Sequence, residues 1–253
     1  MSLSTMEEHC EDDVIFFAEN DPVLQVEYAE EMSRMAPLAV ALCARHCIVI
    51  GVEKKTESHL QNRMPQKISM LDDNIAITFS GLIEDAKVII SRAQAECLSQ
   101  KQKGECPVST LSISRYIAEL KQTYVQCVEP APLSLSCLIC GFDEDGESRI
   151  YQTDPSGNYF EYAACAIGRG SQIAGDILQQ ASPALMTDEP SAIQWALRLL
   201  MSAAHLSGDN IDVAVLKYKE PLRILDKESL APKIVAAQHE IEEETKAKQH
   251  LFI

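Results

Sequence analysis

Alternating blocks of apolar strands and helices constrain the fold of this chain most. Two predicted hairpins come first, at residues 38–55 and 67–80, and two long amphipathic helices follow between residues 82 and 124. The chain returns to strands at residues 134–167, adds two helices, and ends with a strand and a charged helix. Because the strands are apolar on both faces, both faces must be covered. We therefore predict an α+β fold, a four-layer αββα sandwich in which two antiparallel sheets stack between outer helices.

An amphipathic helix is also predicted ahead of the first strand, in the stretch DPVLQVEYAEEMSRM at residues 21–35. Asp21 is a candidate cap, and Pro22 suits the first turn, where no intrahelical hydrogen bond is lost. Apolar positions recur at helical spacing among polar ones at Val23, Val26 and Met32. An isolated sandwich need not cover this apolar side completely, so the helix is a candidate contact surface.

The size and charge of the chain limit its partners. Since 46% of the 253 residues are hydrophobic and no linker is evident, we expect one domain at residues 21–253 after a short segment at residues 1–20. The net charge of 22 − 38 = −16 repels phosphate and anionic lipid, so neither nucleic acid nor membrane is expected as a partner. The acidic start, MSLSTMEEHCEDD, is unlike a signal peptide. We therefore expect the protein in the cytoplasm and the nucleus.

The nine cysteines fit a reduced intracellular protein, because most of them lie in apolar runs. Cys137 and Cys140 form a C-x-x-C, but on a strand this spacing directs the two side chains to opposite faces, so a shared metal is not expected. Cys43 and Cys47 flank a hairpin turn and could face each other, although core thiols are the favoured interpretation.

Metal-ligand patterns are weak elsewhere. The histidines include no helical i,i+4 pair: His9, His46, His59, His205, His239 and His250. Asp72, Asp73 and Asn74 lie in a short predicted turn, where Asp and Asn side chains hydrogen-bond the local backbone. We therefore expect neither a metal nor a cofactor.

The stretch IYQTDPSGNYFEYAACAIGRGSQIAG at residues 150–175 offers a choice between a phosphate cradle and a corner of the fold. Asp154 and Gly157 take their favoured places in a type I turn, which predicts a hairpin corner. Gly168 and Gly170 are followed neither by the third glycine of the dinucleotide fingerprint nor by a Walker lysine. This pair is therefore predicted to let the chain turn sharply before a helix.

Several stretches resemble the alpha-type subunits of the 20S proteasome. They are LQVEYA at 24–29, IGVEKK at 50–55, LDDNIAITFSGLIEDAKVIISRAQAEC at 71–97, RYIAELKQTY at 115–124, and YQTDPSGNY with AIGRG. The resemblance covers about residues 14–230, and GVEKK, RAQAEC and RIYQTDPSG are most like the fourth eukaryotic alpha class. It implies the αββα sandwich of N-terminal nucleophile hydrolases, in agreement with the block order.

The beta-type relatives in this superfamily expose an N-terminal threonine whose free amine serves as the base. Here the matching junction holds Ala36, Pro37 and Leu38, so it offers neither a hydroxyl nor a thiol. Gln66 falls where those relatives have a lysine, and Glu53 falls where they have an aspartate. The resemblance therefore implies a non-catalytic subunit of a threonine-type peptidase complex.

The resemblance also implies partners. Seven alpha subunits of this family form a ring at each end of a barrel of beta rings, and pockets between them receive the C-terminal tails of activators. The helix at residues 22–34 is expected to lie across the cleft that beta subunits leave open and to make ring contacts. Its signature residues are Leu24, Gln25, Val26, Glu27, Tyr28 and Ala29. Lys67 matches the lysine that pairs with the carboxylate of an activator tail.

N-terminal segments of the family obstruct the axial pore with a Tyr-Asp-Arg motif. In this chain that motif should fall at Cys10, Glu11 and Asp12, so both the aromatic residue and the cation are missing from the gate region.

The main hypothesis is a structural alpha-ring subunit that serves gating, activator docking and ubiquitin-dependent protein degradation. A self-processing hydrolase of the same fold would instead need a free N-terminal nucleophile. A small-molecule enzyme built on the glycine loop at residues 168–175 would need a basic or metal-binding partner there.

Overall fold

The computed structural model describes residues 24–54, 66–104, 108–126, 131–180, 188–204 and 210–251. The helices are α1 (Leu24–Met35), α2 (Ile83–Lys103), α3 (Thr110–Gln126), α4 (Ser171–Gln180), α5 (Glu189–Ala204) and α6 (Lys227–Leu251). The strands are β1 (Ala39–Ala44), β2 (Cys47–Glu53), β3 (Ile68–Asp72), β4 (Ile75–Gly81), β5 (Leu135–Phe142), β6 (Ser148–Thr153), β7 (Tyr159–Tyr162), β8 (Ala164–Ile167), β9 (Ile211–Lys217) and β10 (Arg223–Ile224). The predicted block order is therefore confirmed, with the short β10 added.

Two five-stranded antiparallel sheets form the centre of the molecule. The first sheet has the strand order β10-β9-β2-β1-β8, and the second has the order β3-β4-β5-β6-β7. Strands β1, β2, β4 and β5 are buried almost throughout, because they lie in the middle of their sheets with both faces covered.

Three apolar layers hold the sandwich together. Ile48, Ile50 and Leu138 belong to the layer between the two sheets. Helix α5, with α4 and α6 beside it, covers the outer face of the first sheet through side chains such as Leu197 and Leu200. Helices α2 and α3 cover the outer face of the second sheet. The predicted four-layer αββα arrangement is thus confirmed.

Residues 159–167 were predicted only as strands, and the two strands that they contain belong to different sheets. Tyr162 in β7 pairs with Ile150 in the second sheet, whereas Ala164 in β8 pairs with Leu42 in the first sheet. The chain therefore passes from one sheet to the other at Ala163. Both segments are only four residues long, and alternation alone does not show which partner a strand takes.

The two predicted corners are confirmed. Gly157 N donates to Asp154 O at 3.2 Å, which closes the turn of the DPSG stretch. Gly168 and Gly170 have φ angles of 94° and 79° immediately before α4. A Cβ on Gly168 would lie 2.4 Å from Ser80 Oγ, and a Cβ on Gly170 would lie 2.5 Å from the carbonyl oxygen of Ala203. Only glycine fits either position without strain.

In both cysteine pairs the two side chains lie on opposite faces of a sheet. Cys137 and Cys140 are both buried on opposite faces of β5, as predicted, because Cys137 packs under the outer helices and Cys140 packs between the sheets. Cys43 and Cys47 do not face each other. The hairpin register places Cys47 opposite Ala44 and Cys43 opposite Ile48, so the two thiols lie on opposite faces of the sheet.

Two polar features complete the fold. Asp73 and Asn74 form the predicted hairpin turn after Asp72, the last residue of β3. Asp72 and Asp73 pair with Lys101, while Asn74 Oδ1 accepts a hydrogen bond from Lys219 N at 3.1 Å. Lys121 on α3 is fully buried, and its Nζ donates to Leu135 O at 2.9 Å and to Thr153 Oγ1 at 2.9 Å. This amine ties α3 to β5 and β6.

Candidate functional site

The junction between α1 and β1 occupies the position at which a catalytic relative would begin. The chain runs without a break from Met35 into β1, and the backbone of the junction is held by neighbouring elements. Ala36 O accepts a hydrogen bond from Arg169 N at 2.8 Å, and Pro37 O accepts one from Ser80 Oγ at 3.0 Å. These bonds fix the strand start against the Gly168 corner and the end of β4.

A buried ion pair lies directly beneath this junction. The side chain of Glu53 is 5% exposed, and its two carboxylate oxygens accept from Leu38 N at 2.9 Å and from the guanidinium of Arg169. In addition, Glu53 N donates to Leu38 O at 2.8 Å. Arg169 remains 58% exposed on its outer side. Both oxygens of Glu53 therefore serve to hold the junction closed.

The ion pair forms the floor of a cleft of about 260 Å³. The cleft is lined by Met32, Met35, Ala36, Pro37, Glu53, Gly81, Leu82 and Arg169. Within this lining no residue carries a hydroxyl or a thiol, and the amine of residue 38 is an amide that already donates to Glu53. The arrangement can bind a chain segment against methionine and leucine side chains, but it supplies no nucleophile and no free amine to act as base.

Three serine hydroxyls seat α1 on the second sheet, and sequence reasoning did not identify them. Ser33 Oγ lies 3.0 Å from Ser136 Oγ and donates to Glu30 O at 2.9 Å. Ser80 Oγ lies within hydrogen-bonding distance of both Ser33 O and Pro37 O. Helix α1 thus packs on β4 and β5 through polar contacts, which explains why the apolar periodicity of its sequence is weak on the buried side.

The opposite side of α1 is apolar and exposed. We call the side chains of Leu24, Tyr28, Met32 and Met35 the α1 stripe, and each of them is about half exposed or more. Their spacing of four, four and three residues places them within about 80° of arc on the helix. The apolar side predicted from the sequence overlaps with this stripe only at Met32, because Val26 is half-buried and Val23 lies outside the described residues.

The signature residues of this helix differ in what they can contact. Leu24, Gln25, Glu27 and Tyr28 are exposed and Val26 is half-buried. Ala29 is 2% exposed, so it packs inside the chain and serves to seat the helix.

The other predicted site residues lie apart from the ion pair or outside the described residues. Lys67 is half-buried and comes immediately before β3, and Gln66 beside it is exposed. Cys10, Glu11 and Asp12, the predicted gate residues, lie outside the described residues.

Two absences hold within the part of the chain that the structure describes. No three or more His, Cys, Asp or Glu side chains there are arranged to hold a metal ion. No helix in that part is both long enough and apolar enough to cross a bilayer.

Comparisons with known proteins agree with the fold. The family model of the proteasome subunits matches residues 36–216, so the chain belongs to the proteasome subunit family. It is 43% identical over 239 residues to proteasome subunit alpha type-7-1B of Drosophila melanogaster, covering 93% of this chain and 95% of that protein. It is 38% identical over 238 residues to alpha type-7-1 of the same fly, covering 93% of this chain and 96% of that protein. It is 37% identical over 237 residues to alpha type-8 of Mus musculus, covering 93% of this chain and 95% of that protein.

These relatives show that the chain is an alpha-type proteasome subunit. The resemblance drawn from the sequence is confirmed at that level, as is a non-catalytic role within the peptidase complex.

Proposed function

We propose that this chain fills one position of the seven-membered alpha ring of the 20S proteasome, where it acts as a structural subunit in ubiquitin-dependent protein degradation. The observation that carries the proposal is the closed junction at Ala36 and Pro37, pinned by Glu53 and Arg169. A self-processing hydrolase would have to free the amine of a nucleophile at this point, and the junction provides none.

The test is the state of the junction inside assembled particles. A tagged copy of the chain should copurify with other alpha subunits and with beta subunits, and its mass should show no new N-terminus at residues 34–40. The purified chain alone should hydrolyse no fluorogenic peptide. Absence from the particles would contradict the ring position, and cleavage at the junction together with peptidase activity would favour the self-processing alternative.

The finer assignments also belong to this proposal. Motifs such as GVEKK and RAQAEC support the fourth eukaryotic alpha class, and the residues at the N-terminus would take a modified part in gating because Cys10, Glu11 and Asp12 replace Tyr-Asp-Arg. The proposed location is the cytoplasm and the nucleus, and it is supported by the cysteines, most of which lie in apolar runs as reduced core thiols do. Fluorescence microscopy of the tagged chain would contradict this localisation if the signal lay in a secretory compartment.

Lys67 is proposed to receive the C-terminal carboxylate of an activator tail. It is half-buried at the start of β3, and a charge-assisted hydrogen bond in such a site contributes about 1.5–3 kcal/mol. Lys67→Ala should therefore weaken activator binding at this pocket about 10- to 100-fold at low salt, with the other pockets disabled.

Two variants control this measurement. Lys67→Arg keeps the charge and should retain most of the affinity, while Lys87→Ala removes an exposed lysine on α2 and should change nothing. Ring assembly and the basal activity of the beta ring should be unaffected in all three variants. Equal activator affinity for wild-type and Lys67→Ala particles would show that Lys67 is a surface charge without a docking role.

A further inference from the structure

A cavity of about 410 Å³ opens where the chain passes from the second sheet to the first. Strand β7 ends at Tyr162 and β8 begins at Ala164, so the two sheets part at Ala163, which lines the cavity. Helix α4 forms the other wall. We call this space the crossover cavity. Its volume lies within the range of about 300–1,000 Å³ that small-molecule sites occupy.

One face of α4 lines the crossover cavity. Ser171, Gly175 and Leu178 follow one another at helical spacing, and Gln179 stands beside them on the same face. A Cβ added at Gly175 would meet no heavy atom of a neighbouring element within 4 Å, so the helix leaves room at the middle of this face. Because these four residues share one direction, a larger side chain at residue 175 should extend into the cavity without displacing the helix.

The described residues that line the crossover cavity carry no formal charge. Cys43 and Cys165 contribute thiols, and burial raises the pKa of Cys43 to about 11 and that of Cys165 to about 12. Burial also raises the pKa of Tyr162 above its usual 10.0. All three groups are therefore neutral at physiological pH. An ion that entered the cavity would lose part of its hydration without gaining a counter-charge, so the lining favours an uncharged ligand.

Three polar side chains stand within this uncharged lining. Gln152 Oε1 accepts from Cys165 Sγ at 2.9 Å, which leaves the amide nitrogen of the glutamine as a donor. Within the described part of the chain, no hydrogen bond occupies Gln152 Nε2, the amide of Gln179 or Ser171 Oγ. These groups suit a ligand that carries a carbonyl or amide group. The rest of the lining, which includes three alanines and Leu178, suits an apolar body.

We infer that the crossover cavity is a binding site for a neutral small molecule that combines an apolar ring or chain with one amide or carbonyl group. The body of the ligand packs on Leu178 and the alanines, and its polar group hydrogen-bonds the side chains of Gln152 and Gln179. The site shares no residue with the cleft at Pro37, and the inference does not depend on the position of the chain in the ring.

Three probes of the same shape test the class of ligand: benzamide is neutral, benzoate is an anion and benzamidine is a cation. Binding of each probe to the purified full chain at neutral pH is titrated by saturation-transfer NMR. Benzamide should bind saturably and about tenfold or more tightly than either charged probe, because only benzamide enters the cavity without an uncompensated charge. Lack of saturable benzamide binding, or equal affinity for benzoate or benzamidine, would overturn the inference.

Substitutions on α4 test where benzamide binds. Gly175→Leu should reduce benzamide affinity about tenfold or more, because the new side chain fills part of the cavity. Gln172→Leu is the matched control, since it adds the same side chain at an exposed position outside the lining, and it should leave the affinity unchanged.

A second variant keeps the test decisive if Gly175→Leu does not fold, which the fluorescence of Trp195 during urea unfolding would show. Gln179→Ala removes a hydrogen-bonding group from an exposed position, so it should fold as wild type does and weaken benzamide binding about threefold or more. Unchanged benzamide affinity in Gln179→Ala, or in folded Gly175→Leu, would place the binding elsewhere and overturn the inference.

Discussion

Removal of the carboxylate at residue 53 should destabilise the chain by an amount that the geometry of the junction sets. Glu53→Ala leaves Leu38 N, in a fully buried residue, without its 2.9 Å acceptor. An unsatisfied buried amide costs about 1–3 kcal/mol. Losing the pair with Arg169 adds at most about 1 kcal/mol, because the arginine side chain is 58% exposed and water can solvate it. The expected loss in the free energy of unfolding is therefore about 1–4 kcal/mol.

Companion variants separate the two parts of this cost. Glu53→Gln keeps an oxygen for Leu38 N and should cost only about 1 kcal/mol. Arg169→Ala leaves the buried carboxylate with a single donor and should cost more than Glu53→Gln, even though water can enter from the exposed side. The double variant should be more stable than the sum of the two single changes predicts, with a coupling energy of about 0.5–3 kcal/mol.

The assay is urea unfolding of the purified chain followed by the fluorescence of Trp195, the single tryptophan, which packs against the helix-covered face of the first sheet. Glu31→Ala, an exposed glutamate on α1, is the control and should lie within about 0.5 kcal/mol of wild type. If Glu53→Ala were as stable as that control, the ion pair would not hold the junction and the structural interpretation of Glu53 would be wrong.

Two further predictions test the buried lysine and the glycine corner. Burial lowers the pKa of Lys121 below its usual 10.5, so the unfolded state binds more protons and the stability of the wild type gains as pH rises toward 10.5. Lys121→Met should remove this gain. The urea midpoint of the wild type should therefore rise relative to that of Lys121→Met between pH 7 and 10, and a constant difference between the two midpoints would contradict the prediction. Gly168→Ala should cost about 2–5 kcal/mol by thermal unfolding, because the residue has a positive φ and its Cβ would meet Ser80. Gly175→Ala, on α4 with open space around it, should instead gain up to about 1 kcal/mol, and equal effects at the two glycines would refute the corner.

Local patterns were sufficient to predict most of the architecture. The buried face of α5 follows directly from the spacing of Ile193, Ala196 and Leu200, and the hairpins follow from apolar runs interrupted by short polar turns. In each case the signal lies within one element or between sequence neighbours.

Features that depend on distant pairing were not predictable in the same way. Glu53 and Arg169 are 116 positions apart, so nothing in either neighbourhood shows that they meet. Sequence alone left open whether Cys43 and Cys47 face each other, because that depends on the hairpin register; the two-residue turn sets Ala44 opposite Cys47, so Cys43 lies on the other face. The burial of Lys121 does not follow from its residue type, since lysine is almost never fully buried without a partner. Its partners are a carbonyl and a threonine supplied by β5 and β6.

The contacts of Glu53 with Leu38 and Arg169 explain both why the junction is not catalytic and how it holds the start of β1. A catalytic relative needs a free amine at the start of β1 and an acidic side chain near it, whereas here the acid accepts from the amide of Leu38 and from Arg169. The carboxylate that could assist a nucleophile is thereby used to hold the strand start. Because the chain is not cut, α1 stays attached and lies over β4 and β5 through Ser33 and Ser80, with its apolar stripe facing outward. Pro37→Thr alone should therefore produce no peptidase activity, since Leu38 N would still be bonded to Glu53 and α1 would still be attached above the cleft.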